Sequence, residues 1–340
     1  MRPSLTEMPW APDQPRFPQP TPRSVLAHPS GPLRRVSLIP ALLLLAAGTS
    51  AQSRPAPAVS GIRYELTFDS TTAMHRTVRV AMRFEVTGTA PILLSLPAWT
   101  PGAYEISNYA RRLSGFSATI GGRPASWNKT DADTWQIRTG GPGSVDVRFD
   151  FRADTLDDAM AWAQREFLLV NGTNVFLYPE GLGLGFPARV TVRTIPGWHI
   201  LTGLDPDGGA GRYRARNYHD LVDMPLFIGR FDVDSAQIDG VWHRVASYPA
   251  GQLAGASREL FWQQLRGFVP QVARVFGETP WKHYSTMIIF DRSVNGGSAL
   301  EHQNSHVGIY GPDFIGSPFL PSITAHEMFH SWNVKRLRPA

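Results

Sequence analysis

The alternation of apolar and polar positions changes character near residue 240. Before it, the period is two. Val78, Val80, Met82, Phe84 and Val86 alternate with Arg79, Ala81, Arg83 and Glu85, and Val145, Val147, Phe149 and Phe151 repeat the pattern. Such runs predict strands with one buried face. Further strands are expected at Ile62–Phe68, Ile92–Leu96, Trp135–Arg138, Val175–Tyr178, Val190–Ile195 and Leu226–Val233. Turn-rich clusters at 121–122, 140–143 and 205–211 separate them. Short strands at this spacing predict a sandwich or curved sheet. After 240, Leu260, Phe261, Leu265, Phe268, Val269, Val272, Val275 and Phe276 recur at three- and four-residue steps. They predict a helix or helix pair that Pro270 kinks or breaks. A buried strand at Ser285–Phe290, a turn at Gly296-Gly297, an edge strand over Ser298–Tyr310 and a helix over 320–337 follow. The expected class is α+β multidomain: an all-β sandwich-like domain over 60–237, then a mixed α/β region over 240–340.

The first 52 residues read as a leader. Residues 1–33 are Pro-rich, Arg34-Arg35 precede an apolar run from Val36 to Ala47, and Gly48–Ala51 are small. This is a secretory signal peptide over 34–51, with export to the periplasm or medium and no stable membrane insertion after cleavage. The run is too short to span a bilayer comfortably. The residues ahead of it suggest a translation start nearer Leu33 or Val36.

Composition narrows the chemistry. The 340 residues include no cysteine, which removes disulfides, thiolate metal sites and a cysteine nucleophile. Any metal must be held by His and carboxylate. The net charge of +5 does not point to nucleic acid. The arginines are scattered, and Arg2, Arg16, Arg23, Arg34 and Arg35 place much of the surplus in the leader, where a nucleic-acid surface would cluster it.

The last predicted helix contains His326-Glu327-Met328-Phe329-His330. Histidines four apart share a helix face, so His326 and His330 can reach one metal ion, with Glu327 beside it as general base. Zinc suits such nitrogen and carboxylate ligands. It would acidify a water and polarise a scissile carbonyl. Met328 and Phe329 are expected to face a core.

The wider stretch, Ala325 to Pro339, resembles the H-E-x-x-H-x-W-N-x-K-R-x-R-P signature of the glycyl aminopeptidase family of zinc metallopeptidases, relatives of the aminopeptidase N and thermolysin-like gluzincins. Gly296-Gly297 with Leu300-Glu301-His302 is similar to its G-G-x-E-H element, with Ser298-Ala299 as extra residues. Trp99–Tyr104 with Tyr109-Ala110-Arg111, and Tyr218–Asp223 with Gly229-Arg230-Phe231, are similar to parts of its N-terminal domain. The resemblance implies that 240–340 is the first part of a thermolysin-like zinc-peptidase domain. It implies His326 and His330 as zinc ligands, Glu327 as base, and Glu301 as the carboxylate that binds the free α-amine of a peptide substrate. Small N-terminal residues, Gly or Ala, are the implied preference. A carboxylate fixed beyond the metal would hold an ammonium by a charge-assisted bond.

The resemblance also implies a third zinc ligand, a Glu about 19 residues after His330, and a Tyr further on. The chain is therefore expected to be a C-terminally truncated form that binds zinc weakly and is inactive as given, since two imidazoles leave half the coordination sphere to water. A non-catalytic peptide-binding protein and an endopeptidase are the competing readings. Asn333 is expected to buttress the site and Lys335 and Arg336 to favour the helix C-terminus. His302 and His306 are expected in surface or packing roles, and Trp99, Trp135 and Trp198 in the core.

Overall fold

Strands that alternate and strands that are apolar throughout take different places in this protein. The structure, a computed structural model, describes residues 59–337. The expected leader, with its signal peptide at 34–51, and the last residues of the signature lie outside the described residues. The alternating runs build an eight-stranded sheet around Val59–Phe68, Thr77–Val86 and Gly143–Arg152. Its pairs are antiparallel except Val59–Phe68 with Ala188–Thr194. The outward face carries cross-strand ion pairs, Arg79 with Asp150 at 3.3 Å and Arg83 with Asp146 at 2.5 Å. These are register partners, so each pair sits directly opposite on one face. The inward face, including Leu66, Val80, Met82, Phe84, Val147 and Phe149, is buried against two four-stranded sheets.

One of those four-stranded sheets, containing Phe167–Val170 and Leu226–Gly229, is buried on both faces. Leu168, Val170, Leu226 and Ile228 enter the first core. Phe167, Leu169 and Phe227 point the other way and meet Met287, Ile289, Val307 and Ile309 of a five-stranded sheet. Continuous apolar runs are what a strand needs when neither face meets water. Phe167 stacks on Tyr248, with ring centroids 4.0 Å apart, and contacts Trp162, Phe227 and Phe231 edge-on.

The five-stranded sheet has the order Asp232–Ile238, Val241–Tyr248, His283–Phe290, Ser305–Tyr310, Gly297–Glu301. It therefore begins at Asp232, ahead of the residue 240 read from the sequence. Its far face carries Val245, Tyr284, Ile288 and Tyr310 against two helices, Gly255–Phe276 and Phe319–Phe329. The α+β class holds, with the strands concentrated before residue 250.

Four details differ from the sequence reading. Gly255–Phe276 is one continuous helix with Pro270 inside it. Phe261, Trp262, Leu265 and Val269 are buried before the proline, and Val272, Ala273 and Phe276 pack on the same core after it. That common apolar stripe holds both halves where the missing hydrogen bond alone would favour a break. Val175–Tyr178 is no strand: a helical turn spans Gly172–Val175, and only Tyr178–Pro179 pairs. Gly172 lies against the Val222 backbone, where a Cβ would approach its Cα to 2.6 Å. The run is buried all round, so periodicity could not decide its form. Ser298–Tyr310 is a hairpin, whose first strand, Gly297–Glu301, forms the edge. Trp99 does not join the core: it is 50% exposed, whereas Trp135 is buried and Trp198 packs against the first core.

The doubly buried sheet makes a stability prediction. Phe167→Ala should cost about 3–5 kcal/mol in urea unfolding, because it empties an aromatic cluster between two sheets. Met74→Ala, at a side chain left in water, should change stability by less than about 0.5 kcal/mol. Equal effects at the two positions would contradict this layering.

Candidate active site

The helix Phe319–Phe329 buries Leu320, Thr324, Glu327 and Met328. These positions fall on one stripe at helical spacing and turn Glu327 inward. Phe329 packs on Phe276 of the long helix. Beyond the helix, Trp332 stacks on Phe276 with centroids 4.9 Å apart and donates its indole N–H to the Glu278 carbonyl at 3.2 Å. The site helix is thus held from past its own end.

The helix expected to reach 337 stops at Phe329, with His330 as its cap. The chain then folds back. Lys335 N–H donates to the His330 carbonyl at 3.1 Å, and the N–H groups of Arg336 and Leu337 donate to Trp332 at 3.1 and 2.7 Å. Val334 takes a φ of 98° in this turn, a left-handed conformation rare for a β-branched residue. Lys335 and Arg336 consequently leave the helix axis. Lys335 reaches Asp223, and Arg336 pairs with Glu278.

The turn orients the second histidine. His330 Nδ1 lies 3.1 Å from the Asn333 carbonyl. A carbonyl can only accept, so this contact places the proton on Nδ1 and leaves the Nε2 lone pair free. Asn333 supports the site as expected, but through its backbone. His330 Nε2 and His326 Nε2 lie 3.0 Å apart. Two nitrogens bound tetrahedrally at zinc–nitrogen distances would be about 3.3 Å apart. The two nitrogens thus stand near the spacing of paired zinc ligands.

Two carboxylates join His330. Ligand atoms of Glu301, Glu327 and His330 all lie within 4.8 Å of one another. Glu301 ends the edge strand opposite His306, on the sheet face that the helices cover. It is 6% exposed. Burial pushes the Glu327 carboxyl up to about 7, with the negative charges of Glu301 and Asp158 adding to the effect.

Two further residues escaped the sequence reading. Asp158, on the loop after the long strand Gly143–Arg152, is buried and accepts the Ser298 hydroxyl at 2.5 Å. Burial raises its pKa above the ordinary carboxylate range. Its one signal was a charge set beside the apolar run from Ala159 to Ala163. Tyr310 lies over Gly308 and Gly297, where a Cβ would meet its ring at 2.4 and 2.3 Å. Its hydroxyl is buried without a hydrogen-bond partner. Burial drives its pKa up, reinforced by Glu327 and Asp158.

The Trp99–Tyr104 loop approaches from the N-terminal side. Thr100 bonds the Tyr109 and Thr173 hydroxyls at 2.6 Å each, which pins the loop. Gly102, at a φ of +96°, then lies against Glu301: a Cβ there would sit 2.7 and 2.9 Å from the two carboxylate oxygens. Only glycine meets both demands. His302 and His306 are buried packing residues, as expected. His302 Nδ1 faces Asp223, and His306 Nδ1 meets the Tyr284 hydroxyl at 3.1 Å. Burial, then the neighbouring His302, pushes His306 down to about 3.

A solved structure shares this fold. An aminopeptidase N family protein from Idiomarina loihiensis is similar with a TM-score of 0.75 at 24% identity, over 82% of this chain and 49% of that one. An M1 zinc metallopeptidase from Deinococcus radiodurans matches with a TM-score of 0.45 at 15% identity, over 82% of this chain and 65% of that one. The chain thus spans about half the length of the first of these relatives. No curated protein matches it. The pattern of the Peptidase M61 N-terminal domain matches residues 63–230, and that of the M61 glycyl aminopeptidase matches residues 320–340. The two matched stretches flank Glu301 in sequence.

Proposed function

We propose that this chain forms the metal- and amine-binding part of an exported, zinc-dependent aminopeptidase that removes small N-terminal residues, Gly or Ala, from peptides. The observation that carries the reading is the convergence of the His326 and His330 Nε2 atoms at 3.0 Å beside the buried carboxylates of Glu301 and Glu327. His326 and His330 would hold the zinc. Bound there, zinc supplies Lewis acidity toward a water and a peptide carbonyl.

The chain's own residues would do the rest. Glu327, with its raised pKa, is suited to take a proton from water and return it to the leaving amine. Glu301 has no hydrogen-bond or ion-pair partner among the described residues. A buried carboxylate in that condition favours a cation, and a peptide's α-ammonium supplies one. The Gly102 backbone closes the space behind Glu301, so a chain extending beyond the amine has no room there. The residues before about 230 would thus cap the substrate's end, while the hairpin and site helix carry the chemistry. Export rests on the signal-peptide pattern at 34–51. Among the described residues no helix is long and apolar enough to cross a membrane.

Zinc titration of the protein should show weak binding that His330→Ala abolishes, and a form that supplies a third metal ligand should cleave free-amine Gly- and Ala-dipeptides but not their N-acetylated forms. Glu301→Ala should raise KM for the free-amine substrates about tenfold to a hundredfold, the loss of one charged hydrogen-bonded contact. Unchanged KM would remove Glu301 from amine recognition.

In a form that supplies the third metal ligand, Glu327→Gln should keep zinc and lose turnover. It should also stabilise the metal-free protein at pH 8. The wild-type carboxyl, raised to about 7, is ionised in its buried site at that pH, whereas the amide carries no charge. The advantage should shrink as pH falls through 7 and vanish near pH 4, where both side chains are neutral. Thermal melts at the two pH values measure it. A Glu327→Gln protein less stable than wild type at pH 8 would contradict the assigned environment.

A further inference from the structure

Asp223 stands outside the chemistry yet touches both segments that build it. It follows the short helix Tyr218–Val222, in the N-terminal part of the fold. Lys335 Nζ donates to its Oδ1 at 2.9 Å, and the Gln303 backbone N–H donates to its Oδ2 at 2.9 Å. His302 Nδ1 lies 3.4 Å from Oδ1. All the groups are sheltered: the Lys335 side chain is 6% exposed, that of His302 1% and that of Asp223 16%. Burial works against the charge, but His302 and Lys335 hold the Asp223 carboxyl below the usual carboxylate range.

Each contact leads directly to a site residue. Gln303 and His302 form the hairpin turn that follows Glu301, and His302 N–H closes that turn on the Ser305 carbonyl at 2.9 Å. The same turn is gripped a second time, by Asn304 donating to the Gly203 carbonyl at 2.9 Å. On the other side, the Lys335 N–H holds the His330 carbonyl, within the turn whose Asn333 carbonyl orients the His330 ring. A lysine buried on that turn needs a fixed anion, since an unpaired buried ammonium is costly.

We infer that Asp223 is a positioning residue: its carboxylate joins the Glu301 hairpin and the turn behind His330 into one unit, so that the amine-binding and metal-binding halves of the site hold a common register. The inference rests on the reading of Glu301 and His330 as parts of one site. It gives separate purposes to three signature residues, Asp223, His302 and Lys335, that lie far apart in sequence and share a single buried contact.

The test uses the whole chain with Asp223→Asn, Lys335→Met, the double variant, and Glu278→Gln as a control that breaks the exposed pair on the same turn. Backbone hydrogen exchange is followed by peptides covering 301–306 and 330–337 in metal-free protein. Zinc affinity is measured by competition with a chelator. Asp223→Asn and Lys335→Met should each speed exchange in both segments together, by about tenfold or more. Each should weaken zinc binding by roughly tenfold to a hundredfold, as loss of an outer support for a metal ligand does. The double variant should be no worse than the worse single variant, and Glu278→Gln should leave both segments protected. If Asp223→Asn fails to fold, Lys335→Met against Lys335→Arg decides: protection of both segments should return with arginine. Release of the hairpin alone, or fully additive effects, would overturn the inference. If both segments loosen together but wild-type protein takes up no zinc, the positioning role stands and the metal reading falls. If zinc binds and the segments respond independently, the positioning role falls and the metal reading stands.

Discussion

Electron-rich groups repel one another, and this fold gathers four of them at one place. The Nε2 atoms of His326 and His330, on the solvent side, and the buried carboxylates of Glu301 and Glu327 meet between an edge hairpin and a helix end. Left to itself, such a cluster would relax outward into water. The raised pKa of Glu327 records the cost of keeping it in place. Much of the architecture can be understood as the means of meeting that cost, which a bound cation would offset.

The supports come from several directions, and they differ in kind. Trp332 packs on Phe276 and Trp281 and fixes the chain just past His330 by apolar contact. The Asn333 carbonyl sets the His330 ring by a hydrogen bond. The doubly buried four-stranded sheet seats the N-terminal part against the five-stranded sheet through a wholly apolar layer. Because that layer is continuous, the Gly102 loop can be placed against Glu301 with no room for a Cβ. Asp223 then adds a charged contact where the apolar layer ends. Packing gives the gross position, and a few buried polar contacts give the register.

How much of this was legible in the sequence depends on which physical signal each part carries. The strands of the outer sheet were visible because one face meets water, so Val78 to Val86 must alternate. Phe167–Val170 was missed because a strand buried on both faces has no period to detect. The H-E-x-x-H segment was visible because two imidazoles and a carboxylate at helical spacing can converge on one metal ion. The helix end was not. No Gly or Pro marks residue 330, and the stop comes from a turn that puts Val334 in a left-handed conformation. Tyr310 carries no local pattern, and Asp158 only a charge beside an apolar run. Their place beside Glu327 is a product of tertiary packing. Glu301 was legible through its motif, but the reason Gly102 faces it appears only once the two parts of the chain are set together.

His326 and His330 are proposed to share one zinc ion beside Glu301 and Glu327. Crystals of the protein grown with zinc, measured on both sides of the zinc absorption edge, test this most directly. The account predicts one strong anomalous peak within bonding distance, about 2.1 Å, of both Nε2 atoms. A zinc peak elsewhere, with the two imidazoles still paired to each other, would contradict it.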